Sequence, residues 1–175
     1  MREPIGQKAP ANRKVYRLEL PAASENLALI REFVGGIAEN MGFDEETVIN
    51  IELAVDEACT NVVRHAYNNT TPPERARIRI AVRPYSDRIE ITIADNGKGF
   101  DPRKLPSPDL VRYVRQMRRG GLGIYLMQKL MDRVYFRIQP GVRNEVRLVK
   151  YLSAPGNTTD RASESARSNS KKTGK

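Results

Sequence analysis

Cysteine and histidine are almost missing: Cys59 and His65 are the only ones in 175 residues. A single thiol excludes an intramolecular disulfide, and two soft ligands cannot build a structural zinc site of four Cys/His ligands. Tryptophan is absent and phenylalanine occurs four times, so Val, Ile and Leu must supply the core. No apolar run approaches the ~20 residues that span a bilayer. The opening MREPIGQKAPANRK places charges and prolines where a signal peptide needs an apolar stretch. The expected location is the cytoplasm, with no membrane contact. A chain of this length fits one core with tails.

What is abundant is positive charge: 30 Lys and Arg against 21 Asp and Glu, a net charge of +9. Its placement matters more than its size. Residues 1–14 hold Arg2, Lys8, Arg13 and Lys14 against Glu3. Residues 153–175 hold Arg161, Arg167, Lys171, Lys172 and Lys175 against Asp160 and Glu164. Each end therefore carries +3, leaving +3 for positions 15–152. The ends have no aromatic residues on which bases could stack, so direct nucleic-acid binding is not expected. The segment 153–175 has no large apolar residue and reads as a disordered basic tail, and 1–14 as a flexible N-terminal segment.

Between them, Val15 to Leu20 alternates like a strand and is stopped by Pro21. Ser24 is placed to cap a helix in which Leu27, Ile30, Phe33, Val34 and Ile37 recur at helical spacing, ending around Asn40-Met41-Gly42. Asp44 caps a second, with Val48, Ile51, Val55, Cys59, Val62 and Ala66 on its apolar side, running to Asn68-Asn69. Two period-two strands follow, carrying Ile78, Ile80 and Val82, then Ile89, Ile91 and Ile93, joined by a hairpin-like Arg83–Arg88. A helix with Ile124, Met127, Leu130 and Met131 and strands at 134–138 and 145–151, separated by Pro140-Gly141, complete the core. The order strand, helix, helix, strand, strand, helix, strand, strand predicts an α+β fold. It is a two-layer α/β sandwich, with a mostly antiparallel sheet and helices on one face.

Three polar features interrupt this pattern. On the second helix Glu57 and Asn61 stand four apart and share a face, where a carboxylate and an amide oxygen can converge on one water or metal ion; a solvated polar stripe is the plainer alternative. Glu52 and Asp56 flank them at other angles and read as surface charges. Second, Asp95-x-Gly97-x-Gly99 follows a strand. A carboxylate there can accept from an exocyclic amine, and glycines permit positive φ and close approach, or else simply make a turn. Third, Gly120-Gly121-Leu122-Gly123 opens a helix, whose freed N–H groups suit phosphates. Neither the P-loop string nor G-x-G-x-x-G occurs anywhere in the chain.

The ordered triple, E-x-x-x-N on a helix, D-x-G-x-G-F after a strand and G-G-L-G-I opening a helix, resembles the GHKL (histidine-kinase-like) ATPase superfamily over residues 15–152. The only histidine lies inside the E-x-x-x-N helix, which excludes the usual autophosphorylation of a histidine kinase, and the length leaves no room for a gyrase-type second domain. The N-box Glu-Ala-Cys-Thr-Asn-Val-Val-Arg-His-Ala-Tyr is similar to that of the anti-sigma-factor serine/threonine kinases of the RsbW/SpoIIAB type.

The resemblance implies ATP and Mg²⁺ as ligands. Asn61 would ligate the ion, Glu57 would act as general base on a serine hydroxyl, and Asp95 would hold the adenine amino group. Gly97 would allow close approach and Gly99 would shape the loop. Gly121, Leu122 and Gly123 would line the phosphates. One of Arg115, Arg118 or Arg119, in a mobile lid, would stabilise developing charge; a solvated loop is the alternative. The implied partners are a sigma factor of RNA polymerase and an anti-anti-sigma (STAS) protein, acting on a homodimer. A nucleotide-dependent binding module of the same fold without kinase activity is the competing expectation. Where relatives commonly carry Gly-Thr before the last strand, this chain reads Gly141-Val-Arg-Asn144, leaving Asn144 as candidate substitute. His65 is expected to pack or cap near the helix end.

Overall fold

The computed structural model describes residues 14–67, 72, 74–99 and 122–152. The expected tail 153–175 and, apart from Lys14, the expected flexible segment 1–14 lie outside the described residues. Strand β1 spans Tyr16–Pro21, so Pro21 closes the strand from inside it. Helices α1 (Leu27–Asn40) and α2 (Glu45–Asn61) follow, then β2 (Arg77–Pro84), β3 (Arg88–Asp95), α3 (Leu122–Leu130), β4 (Arg133–Gln139) and β5 (Arg143–Tyr151).

All five strands are antiparallel, in the order β1-β2-β3-β5-β4. Period-two alternation delivers Ile78, Ile80 and Val82 from β2, Ile89, Ile91 and Ile93 from β3, and Val146 and Leu148 from β5 to one face, all at most 6% exposed. Against that face pack Ile30, Val34 and Ala38 of α1, Val48, Ile51, Val55 and Cys59 of α2, and Met127 of α3. This is the expected two-layer sandwich, with the helices on one side. Burial of each branched side chain contributes about 1.5–3 kcal/mol, which makes the shared face the main source of stability. Cys59 is wholly buried there, and loss of solvent pushes its thiol pKa far up.

Local signals account for the start of α2 and the end of α1, but not for the start of α1 or the end of α2. Asp44 has extended φ/ψ, and its Oδ1 accepts from the Thr47 N–H at 2.8 Å. At the end of α1, Gly42 takes φ +88° while its N–H donates to Glu39 O and the Phe43 N–H to Ala38 O, a Schellman stop. Ser24 does not cap α1. It opens a 3₁₀ turn, Ser24–Asn26, that runs straight into the helix, so the residue before Leu27 is already right-handed and offers no side-chain cap; the Asn26 amide instead donates to Pro21 O at 3.0 Å. Nor does α2 continue regularly to Asn68. It widens after Asn61 into a π turn, Val62–Ala66, which ends at an extended Tyr67.

Candidate nucleotide site

The π turn sits where α2 meets the end of β3, and it shapes the site. The Ala66 carbonyl, at the end of the helical run and so without a partner within it, accepts the Lys98 N–H at 2.8 Å. Tyr67 straps the same region: its hydroxyl donates to Arg77 O at 3.0 Å and accepts from the Asn96 N–H at 3.1 Å. Gly97 lies so close to Ala66 that a Cβ would overlap the Ala66 carbonyl. The close approach that requires glycine here is therefore to the chain's own helix end. Gly99 has φ +66°, the left-handed region that favours glycine, and a Cβ on it would lie 2.7 Å from Asn144 Oδ1.

Asp95 ends β3 on the core face and is 6% exposed. Its Oδ1 accepts from the Gly97 N–H at 2.7 Å and from Asn144 Nδ2 at 2.9 Å. Asn144, 3% exposed, is brought there by the β3–β5 register, which pairs it with Asp95; the β4–β5 register pairs it with Ile138. Its Nδ2 also donates to Gly97 O at 3.0 Å, so the amide orientation is determined and Oδ1 is left buried without a partner among the described residues. Asn144, Asp95, Asn61, His65, Gly99 and Ile138 share the lining of a cavity of about 20 Å³. An exposed His65 on the rim of this cavity departs from the packing or capping expected of it.

Glu57 and Asn61 project from α2 toward the start of α3. A Cβ on Gly123 would lie 2.5 Å from Glu57 Oε2 and 3.5 Å from Asn61 Nδ2, so only glycine admits this approach. Burial raises the Glu57 pKa above the usual carboxylate value; the Asp56 charge adds to the rise and the Arg64 charge opposes it. Asp56 itself pairs across to Arg31 of α1 at 2.5 Å. Glu52, read as a surface charge, is half-buried, its carboxylate crossing to the face of α1 where Gly35 leaves space.

The structure thus places Asn61, Asp95 and Gly99 on the lining of one small cavity, with Glu57 and Gly123 beside Asn61 and Gly97 beside Asp95. Arg115, Arg118, Arg119 and Gly121, and the side chain of Leu122, lie outside the described residues. Among the described residues no group of three or more His, Cys, Asp or Glu converges to hold a metal. A divalent ion here would need the Asn61 amide and oxygens of a bound phosphate chain, a donor set that suits Mg²⁺. The orphaned Asn144 oxygen is left as an acceptor near the Asp95 carboxylate. The π turn, the Tyr67 strap and the His65 rim position carry no local sequence signal. Asn144 stood out only because it replaces an expected threonine.

A two-layer sandwich with this site is the architecture of the histidine kinase-like ATPase domain, and residues 20–150 match that family. The chain belongs to it and, within it, to the serine-protein kinases of the RsbW kind. It is 37% identical over 140 residues to the serine-protein kinase RsbW of Bacillus licheniformis, covering 78% of this chain and 84% of that protein. It is 38% identical over 144 residues to RsbW of Bacillus pumilus, covering 79% and 86%. Two solved structures share the fold at low identity. The RsbU and RsbW domains of Rv1364c from Mycobacterium tuberculosis align at TM-score 0.58 and 16% identity, over 82% of this chain and 34% of that one. The SiaB–SiaC complex from Pseudomonas aeruginosa aligns at 0.57 and 12%, over 77% and 88%.

Proposed function

We propose that this protein is a cytoplasmic, ATP- and Mg²⁺-dependent serine-protein kinase that is also an anti-sigma factor. As a homodimer it holds a sigma factor of RNA polymerase, and it phosphorylates a serine on an anti-anti-sigma protein of the STAS type. The kinase name of its relatives supports the reaction, and the placement of Glu57 carries it. A carboxylate with a raised pKa stands beside Asn61 and the glycine-lined start of α3, where phosphates are favoured.

In this reading Asp95 holds the adenine amino group, with Asn144 fixing the carboxylate and presenting Oδ1 to the same region. Asn61 would hold the ion, which would supply positive charge against the phosphates. Glu57 accepts the serine Oγ proton as Oγ bonds to the γ-phosphorus and the bond to the β–γ bridging oxygen breaks, releasing ADP.

The test is phosphate transfer from labelled ATP to the cognate STAS protein. Transfer is expected with the native chain and lost in Glu57→Ala, which keeps its ATP. Asp95→Asn and Asn144→Ala weaken ATP binding itself. Failure to bind ATP with Mg²⁺ at millimolar concentration overturns the nucleotide site. ATP binding without transfer, with sigma control intact in Glu57→Ala, replaces the kinase by a non-catalytic switch.

A further inference from the structure

The alternation that sends isoleucines to the helices sends arginines to the other face of the sheet. Each strand contributes, and the only acidic side chains that the strands turn outward are Glu19, Glu90 and Glu145. All three are already engaged, by Arg77 at 3.3 Å, Arg88 at 2.9 Å and Arg143 at 2.6 Å. Arg17, Arg79, Arg83, Arg133, Arg137 and Arg147 have no carboxylate partner among the described residues. A groove of about 600 Å³ runs along this face, lined by Arg83, Glu90, Arg137 and Arg147 with Tyr135. The Tyr135 ring is 43% exposed with the Arg147 guanidinium 4.6 Å above it, and Tyr151 nearby is 41% exposed. Arginine and tyrosine are the residues that anchor protein interfaces.

Charge decides what can cover this face. Both chain ends carry +3 and would be repelled. A second copy packed by two-fold symmetry would set arginine against arginine. A nucleic acid would need a free ring on which a base could stack, and the Tyr135 ring is already capped by Arg147.

We propose that the outer sheet face, centred on Arg137 and Arg147, is a docking surface for an acidic protein segment whose carboxylates take these arginines in bidentate pairs. The proposal does not depend on the kinase reading, because this face lies across the sheet from the nucleotide crevice.

A short fluorescein-labelled glutamate-rich peptide, titrated with the full chain, tests it, with a single-stranded oligo-dT of equal length in parallel. Saturable binding that weakens with salt is expected. Arg137→Glu/Arg147→Glu should weaken it about tenfold or more. The milder Arg137→Gln/Arg147→Gln should follow in the same direction, and both variants should bind ATP as the native chain does, which reports that the fold is intact. The proposal is overturned if peptide affinity is the same in native chain and variants. It is equally overturned if oligo-dT binds more tightly and is lost in the same variants, or if the variants change only self-association in sedimentation.

Discussion

Glu57 and Asp95 are carboxylates on either side of Asn61 whose surroundings differ. Asp95 has one oxygen saturated by two N–H donors and is held still. Glu57 is partly desolvated beside Gly123, and its proton is bound more tightly in the folded state than in the unfolded one. The sign follows by linkage: stability falls as pH rises from the ordinary carboxylate pKa through the raised one, because the native state there carries the extra proton. Glu57→Gln is therefore expected to raise the Tm at neutral pH by no more than a few degrees, an advantage that disappears in acid, where Glu57 is itself protonated. The same variant should lower kcat about 10²–10⁴-fold, as loss of a general base does. Calorimetry across pH and single-turnover transfer check the two halves. A Glu57→Gln chain less stable than native at neutral pH would contradict the desolvated site. Both carboxylates were legible in the sequence by spacing and context, whereas the burial that separates their roles was not.

At the scale of elements, the junction of α2 with the β3 loop is held by backbone bonds as well as by the Tyr67, Asp95 and Asn144 side chains. The Lys98 N–H bonds Ala66 O, the Gly141 N–H bonds Gly97 O, and a Cβ on Gly97 has no room against Ala66. A methyl group at 97 would meet a carbonyl that cannot rotate away. Gly97→Ala is expected to cost about 1–3 kcal/mol, seen as a Tm drop of several degrees, and to weaken ATP binding in the same variant. A native Tm in the Gly97→Ala variant would show that the loop is not clamped. Helical periodicity predicted α2 correctly through Asn61 but carried it on unbroken to Asn68. A π turn changes which carbonyls are free while leaving Val62 and Ala66 on the apolar side, so the hydrophobic pattern cannot reveal it. Ser24 failed for a related reason: a cap residue is competent only if the chain enters the helix from an extended conformation, and here a 3₁₀ turn leads in.

For the whole molecule, the nucleotide crevice is assembled from elements far apart in the chain, so occupancy should tie them together. A ligand that binds the native state alone stabilises by about 2.7 kcal/mol at a hundred times its Kd, here a Tm rise of roughly 5–10 °C. ATP with Mg²⁺ is expected to give that shift, and Asp95→Asn to remove most of it at the same concentration. Thermal unfolding at fixed protein concentration measures both, and an unchanged Tm with saturating ATP would speak against a site built across the sandwich. The modest +3 of the central region conceals a stronger division, with arginines gathered on the outer sheet face and the acidic residues of α1 and α2 on the other side.

The sequence by itself determined the element types and their order, the antiparallel two-layer class and the three polar motifs, because periodicity, caps and glycines are local properties that neighbouring residues impose on the backbone. Only the tertiary structure decided that β5 lies between β3 and β4. That placement sets Asn144 opposite Asp95, opens the rim where His65 stands and leaves one sheet face to the arginines. Strand pairing joins residues such as Asp95 and Asn144, 49 positions apart, and the energy that selects the register comes from burying Ile91 against Leu148 and Ile93 against Val146, pairs that no local window contains.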